Sequence, residues 1–425
     1  MRRACHDIAA PDIRADEPCR STSDCMRWFF FCYWYEPDAP SDPVGLVRIW
    51  TLARQLVEQG DSVTVFPPRY RSSLLQRRFS IKPISLLPWP VLRPVSYALR
   101  SCLAGLKMAW QSKPDVVYYR WMNSPHPLLF ARLVGAQCIC EVNGEPVPPW
   151  YASGLRSWIT HVLAAFALCR CDRVVVLTDG LRSLVQSQYG VQADRVTVLS
   201  SGSDLSLFRP RETITCRQEA QLDPACQYIG FVGSFYRYQG LATLLEAFAR
   251  IHDRRPSTRL LMVGEGEEAE ALHAQAARRG LSSWITWTGR VEYTKVPLWI
   301  GTMDVCVAPF CGERGETSPV KLFDYLACGR PVVASAIPSV TELFSRANGV
   351  VLVKPDRVDV LTEAILDLLA RPDEARRLGR EGRAFIEQRF GWDAIVRTLR
   401  DMVQQIVPHD HEQHRIAVNS RGERV

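Results

Sequence analysis

The strongest constraint on this chain is an alternation that runs almost end to end and then starts over. Short apolar runs fall at 28–34, 62–66 (SVTVF), 115–119 (DVVYY), 137–142, 173–177 (RVVVL) and 195–199 (RVTVL). Between them lie amphipathic stretches with helical spacing: VRIWTLARQLVEQG, PLLFARLVG, SGLRSWITHVLAAFALCR and GLRSLVQSQYG. Many end at glycine, as helix C-termini do. After the polar segment 208–226 a second series begins with YIGFVGS, LATLLEAFARIHD, RLLMVG, a helix over 267–279 and WITWTG; it closes with GVVLV and VDVLTEAILDLLA. Strand–helix alternation buries a parallel sheet between two helical layers. The expected fold class is α/β, two doubly wound Rossmann-like domains facing across a cleft, with ligands beyond the strands' carboxyl ends. The expected boundaries are 26–207 and 208–388, with a last helix over 389–408 crossing back to the first domain. Residues 1–25 and 409–425 are unpatterned and read as disordered.

Composition narrows the function classes. The 425 residues are 47% hydrophobic and 23% charged, which excludes wholesale disorder. The net charge of +7 is unevenly spread: from Phe66 to Arg120 the only acid is Asp115, among ten bases, with Trp89, Trp110 and several leucines interleaved. That pattern suits an anionic surface. Pro83, Pro88, Pro90 and Pro94 exclude one long helix there and predict a basic, apolar-tipped loop carrying Ile84, Leu86, Leu87, Trp89 and Leu92, then a helix near 95–110. No nucleic-acid-binding module is recognisable, so nucleic acid is not an expected partner. The 14 cysteines include no C-x-x-C pair and read as reduced core thiols. No apolar run reaches 18 residues, and the N-terminus lacks the apolar core of a signal peptide. Met26 stands just before the first strand, so a chain starting there is expected to fold. The expected localisation is cytoplasmic, peripheral on the inner face of the membrane.

The stretch GERGETSPVKLFDYLACGRPVVAS carries the most chemistry. It reads as a glycine loop after the strand MDVCVAPF, a helix over Val320–Cys328 closed by Gly329, and another strand. Thr317 or Ser318 is the expected N-cap and Pro319 the first helical residue. The free N–H groups of such a helix start attract phosphate. Glu316 and Asp324 would repel phosphate and are better suited to accept hydrogen bonds from hydroxyls. A ligand with a phosphate centre and a sugar on each side, a nucleoside diphosphate sugar, meets both demands.

With these motifs the chain resembles the retaining glycosyltransferases of family 4, of GT-B fold, over about residues 27 to 405. The family's acid–seven residues–acid motif appears as Glu316 and Asp324, with aspartate where relatives have glutamate. The resemblance implies that Glu316 holds donor-sugar hydroxyls, Asp324 the ribose hydroxyls, and the backbone of Thr317 and Ser318 the diphosphate. GFVGSFYRYQGLATLLEAFARI is similar to the block whose two cations clamp that diphosphate. Here those positions are Ser234 and Gln239, which leaves Arg237 as the expected substitute. Arg290 and Val291 match the block that frames the nucleobase, and Gly45 the only glycine kept in the loop near the donor phosphate. EVNGEP places Asn143 where many relatives have a histidine that orients sugar and acceptor. VGEGEEAEAL reads as a tight structural turn, since Ala269 stands at the third glycine position of a dinucleotide fingerprint.

The resemblance implies transfer of a sugar from a nucleotide-activated donor to a hydroxyl acceptor, lipid-linked or oligosaccharide, in cell-surface glycan synthesis. No D-x-D pair stands where a metal would bridge phosphates, so no cofactor and no metal are expected. The alternatives are a non-catalytic nucleotide-sugar or membrane-binding relative, prompted by Ser234 and Gln239, and a sugar phosphorylase or epimerase on the same fold.

Overall fold

A computed structural model describes residues 25–34, 46–70, 79–146, 154–312, 318–344 and 349–407. Of the segments expected to be disordered, 1–25 and 409–425, all but Cys25 lie outside the described residues.

The first parallel sheet contains β1 (Arg27–Phe31), β2 (Ser62–Phe66), β3 (Ser80–Ile81), β4 (Val116–Arg120), β5 (Gln137–Val142), β6 (Arg173–Val176) and β7 (Val196–Val198), in the order β3-β2-β1-β4-β5-β6-β7. Its helices are α1 (Val47–Glu58), α2 (Arg93–Gln111), α3 (His126–Val134), α4 (Leu155–Arg170) and α5 (Asp179–Tyr189). After α6 (Thr213–Glu219) comes the second sheet: β8 (Gln227–Val232), β9 (Thr258–Val263), β10 (Ile285–Gly289), β11 (Val305–Ala308), β12 (Val332–Ser335) and β13 (Val350–Val353), in the order β10-β9-β8-β11-β12-β13. Its helices are α7 (Leu241–Arg254), α8 (Ala269–Arg278), α9 (Val296–Thr302), α10 (Val320–Ala327), α11 (Pro338–Phe344), α12 (Val358–Ala370) and α13 (Pro372–Arg389). α14 (Trp392–Gln404) is the last described helix.

Both sheets are doubly wound, as the alternation predicts, and each strand expected in the first half is found within a few residues. β3 was missed because two residues carry no period to read. Central strands are apolar on both faces: Phe29, Phe30 and Phe31 of β1 are all buried. In the second sheet, Ile229, Phe231, Leu260, Met262, Val305 and Val307 pack with α7 and α12 into one core.

The chain divides into two compact units, Met1–Tyr119 with Leu129–Cys138, and Arg120–Leu128 with Ile139–Val425. Contacts tie 139–207 to the helices of the second sheet. Glu342 of α11 accepts hydrogen bonds from the Asp179 and Gly180 N–H groups at 2.6 and 3.4 Å, satisfying the start of α5. Ser203 N–H donates to the Phe390 carbonyl at 3.0 Å, where the chain bridges Gly391 ahead of α14.

Within the first unit α2 is unusual. Pro94 sits in its first turn, as the proline pattern requires. Its buried face is small or polar: Ser96, Tyr97, Ser101 and Gly105. Tyr97 Oη donates to the Phe66 carbonyl at 2.6 Å and accepts from Cys32 N–H at 2.9 Å. Gly105 lies against the Phe130 ring. The outward face carries Val95, Leu99, Leu103, Leu106 and Trp110. Trp89 and Leu92 are exposed as expected, but Ile84 is buried, since it continues the first sheet's edge by bridging Pro68. Arg71, Arg77 and Arg78 lie outside the described residues. Eleven described cysteines are free thiols, and Cys25 takes part in a disulfide.

Candidate active site

The second sheet reverses its winding between β8 and β11, with β9 and β10 to one side and β12 and β13 to the other. Doubly wound sheets hold ligands beyond the carboxyl ends of their strands at such a reversal. β8 runs into Gly233 and Ser234, and β11 into Pro309 and the segment leading to α10.

Three contacts fix the local geometry. Val232 N–H donates to Tyr325 Oη at 2.7 Å, so the buried phenol of α10 closes the end of β8. Gly240 is left-handed at φ +68°, and a Cβ there would stand 1.9 Å from the Pro309 carbonyl oxygen. Only glycine lets the loop after β8 lie against the loop after β11. The Gly264–Gly266 turn has the structural role expected of it: a Cβ on Gly264 would meet the Gly233 carbonyl oxygen at 2.0 Å, and Phe235 N–H donates to the Glu265 carbonyl at 2.8 Å.

On this frame Ser234 is half-buried, Gln239 and Ser318 are buried, and Arg237 is exposed. Arg237 and Gln239 share a single 3₁₀ turn, Arg237–Gln239, and it is the amide that turns inward. The N-cap of α10 is Pro319, not Thr317 or Ser318, and no side chain caps the helix start. Proline's fixed φ leaves it free to hold the junction itself. Glu316, Thr317 and Gly45 lie outside the described residues.

The sequence reading missed Lys321. Its ammonium hydrogen-bonds Gln239 Oε1 and stands 3.9 Å from the Phe231 ring centroid and 5.2 Å from that of Phe310. It also overhangs the glycine turn, since a Cβ on Gly233 would come within 3.1 Å of it. A signal was available: a lysine at the second position of a helix opposes the helix dipole, so local helix stability does not explain it.

Asp324, one turn further on, is half-buried and accepts a 2.7 Å hydrogen bond from Ser203 Oγ. Burial pushes its carboxyl up to about 7; the Ser203 hydrogen bond opposes that shift and the Asp204 charge adds to it. Ser203 was not singled out either, because 121 residues separate it from its partner.

Arg290 lies beside the same turns, 3.9 Å from the Glu265 carboxylate, and Val291 packs into the core under α10. Asn143 is half-buried at the end of β5, in the first sheet. Near it Trp121 N–H donates to the Glu141 carbonyl at 2.8 Å, and the indole N–H to the Pro146 carbonyl at 3.2 Å. His126, buried at the start of α3, is held neutral down to about 4 by burial and pairs through Nδ1 with Ser124 Oγ at 2.9 Å. Among the described residues no group of three or more His, Cys, Asp or Glu side chains could hold a metal ion.

Where the end of β8 meets the start of α10, this arrangement offers an ammonium, the N–H groups of a helix start, a glycine turn and, one helical turn on, a carboxylate. It suits a phosphorylated ligand that also carries hydroxyls.

Comparison with known proteins agrees with this. Residues 47–207 match the model for Glycosyltransferase Family 4 and residues 226–371 that for Glycosyl transferases group 1. A D-inositol 3-phosphate glycosyltransferase of Segniliparus rotundus is 30% identical over 227 residues, covering 52% of this chain and 50% of that protein. A GDP-mannose-dependent alpha-(1-6)-phosphatidylinositol monomannoside mannosyltransferase of Mycobacterium tuberculosis is 26% identical over 302 residues, 67% of this chain and 75% of the relative. The match spans about half the length of the first of these relatives. The crystal structure of the Anabaena protein HepE in complex with UDP and glucose superposes with a TM-score of 0.72 at 16% identity, over 90% of this chain and all of that one. By both halves of its sequence and by its GT-B fold, the chain belongs to glycosyltransferase family 4, the glycosyl transferases group 1.

Proposed function

We propose that the protein transfers a sugar from a nucleoside diphosphate donor to a hydroxyl of a lipid-linked acceptor at an anionic membrane surface, with retention at the anomeric carbon and without a metal. The observation that carries this reading is the grouping of Lys321, Gln239, Ser318 and the Gly233–Ser234 turn at the winding reversal of the second sheet, with Asp324 behind it. In the proposed step the bond from the anomeric carbon to the diphosphate oxygen breaks, and a bond to the acceptor oxygen forms on the same face. The acceptor's proton passes to the departing diphosphate oxygen, so no dedicated protein base is required. Stabilisation of the leaving charge and positioning do the catalysis. Glu316 and Thr317 would complete the donor site, and Asn143 would orient the acceptor side.

The lipid part of the proposal is supported by α2. Leu99 and Leu103 are 63% and 66% exposed and Trp110 is 93% exposed, on a face flanked by Arg93, Arg100 and Lys107. Apolar side chains entering a leaflet, with bases each contributing about 1 kcal/mol near anionic headgroups, give reversible attachment. Among the described residues no helix is long and apolar enough to cross a membrane. One of the relatives acts, by its name, on a phosphatidylinositol mannoside, and the HepE complex holds UDP and glucose.

The test is a screen of UDP-, GDP- and ADP-sugars against lipid-linked and oligosaccharide acceptors, read by diphosphate release in chelator. Turnover with a lipid-linked acceptor and an axial-to-axial or equatorial-to-equatorial product is expected. Binding without turnover across the panel would favour the non-catalytic alternative. An inverted product would remove the retaining course.

A further inference from the structure

We propose that Lys321 is the cation that receives the donor's diphosphate, and that Gln239 is an amide because Lys321 is there. This rests on the nucleotide-donor reading above and assigns the charge that reading lacks. Positions 234 and 239 carry no base, and Arg237 is exposed on the turn whose inward side chain is Gln239. The ammonium arrives instead from the other strand's helix. Lys321 reaches from the first turn of α10 across the Phe231 face to the Gly233 turn. It thus holds its charge over the carboxyl end of β8, where the loop after that strand would meet a diphosphate.

The pairing explains both residues. Lys321 stands at the positive end of a helix dipole, so the dipole and the ammonium reinforce each other toward an anion. The Phe231 ring and the Gln239 carbonyl oxygen hold the ammonium at this place, and neither of these two groups carries a charge. A second base at 239 would put two cations within hydrogen-bond distance, and their repulsion in a half-buried site would displace one. When a diphosphate enters, the ammonium keeps the aromatic contact and exchanges the neutral amide oxygen for a charged phosphate oxygen, the stronger acceptor.

The test is calorimetric binding of UDP, GDP and ADP, and of UMP, GMP and AMP, to the full chain in chelator. At least one diphosphate is expected to bind the wild type. Lys321→Gln should weaken that diphosphate by about 10- to 100-fold, the range of one charge-assisted hydrogen bond. It should change the matching monophosphate by less than about threefold, because uridine, guanosine or adenosine contacts remain. The exchange variant Q239K with K321Q returns one cation to the pair and should recover diphosphate affinity to within about fivefold of wild type. Thermal melts without ligand accompany each variant, so that a loss caused by misfolding is recognised by a lowered melting temperature and binding is compared only between variants that melt like the wild type. Unchanged diphosphate affinity in K321Q, equal weakening of di- and monophosphate, or no recovery on exchange would each overturn the assignment while leaving the donor reading intact. A wild type that binds none of the six nucleotides would overturn the donor reading and the assignment with it.

Discussion

Two helices of this protein carry the same one-sided apolar stripe and put it to opposite uses. On α7, Leu241, Leu244, Leu245, Phe248 and Ile251 are all buried against the second sheet. On α2, Val95, Leu99, Leu103, Leu106 and Trp110 are all exposed, while Ser96, Tyr97, Ser101 and Gly105 face the protein. Period alone marks both as amphipathic. What separates them is the partner surface. The α7 stripe meets Ile229, Phe231 and Leu260, whereas α2 is anchored by the Tyr97 hydroxyl and by the close fit of Gly105 under Phe130. A helix held by polar and small contacts leaves its apolar face to something else, and an exposed face of this kind marks an interaction surface.

The comparison breaks most readily with a charge placed on each stripe. Leu244→Glu should cost about 4 kcal/mol or more, through an unpaired buried carboxylate, and show as insolubility or a collapsed melting transition. Leu99→Glu should stay within about 0.5 kcal/mol of wild type in urea unfolding. Equal damage from both would mean that α2's outer face is covered within the fold.

The next effect concerns lipid. Leu99→Glu combined with Leu103→Glu should weaken binding to anionic vesicles by about 30-fold or more, from two leucines that no longer insert. Unchanged co-sedimentation would take the apolar stripe out of the membrane reading. A smaller change is expected from Lys107→Ala, about fivefold at low salt for one base near an anionic leaflet, shrinking as salt rises. Equal binding to neutral and anionic vesicles would remove the charge from the argument.

The smallest effect sharpens the comparison with a mixed case. α10 buries Leu322, Phe323, Tyr325 and Leu326 as α7 buries its leucines, yet carries Asp324 among them. Its carboxyl, raised to about 7 by burial from an unfolded value of 3.8, binds a proton more readily folded than unfolded. Its ionisation therefore destabilises the fold progressively as pH rises from about 4 to 7, and the full cost is present above 7. Asp324→Asn removes that cost while keeping an oxygen for Ser203. The variant should melt about 2–4 °C above wild type at pH 8, with no difference at pH 4. A lower melting temperature at pH 8 would show that the ionised carboxylate stabilises the fold.

Much of the architecture was legible in the chain itself. RVVVL, SVTVF and YIGFVGS had to be strands of a parallel sheet, because runs apolar on both faces need helices above and below. The restart after residue 226 required a second sheet, and the glycines and Pro319 placed the short helix α10 to within a residue. Local signals sufficed here because strand period, helix period and turn chemistry depend on near neighbours. The Asp324 position and the Gln239 departure were legible for the same reason.

The tertiary structure decided what lies next to what. Lys321 and Gln239 are 82 residues apart, and Ser203 and Asp324 are 121 apart. No period or spacing connects such pairs, since their approach follows from the order β10-β9-β8-β11-β12-β13, which brings the end of β8 beside the start of α10. The sequence alone also left open which face of α2 turns inward. Its apolar residues are the more numerous, and burial by hydrophobicity would have chosen them. The choice went to Tyr97, Ser101 and Gly105, because the space against Phe31 and Phe130 admits only small residues and the Phe66 carbonyl needs a donor.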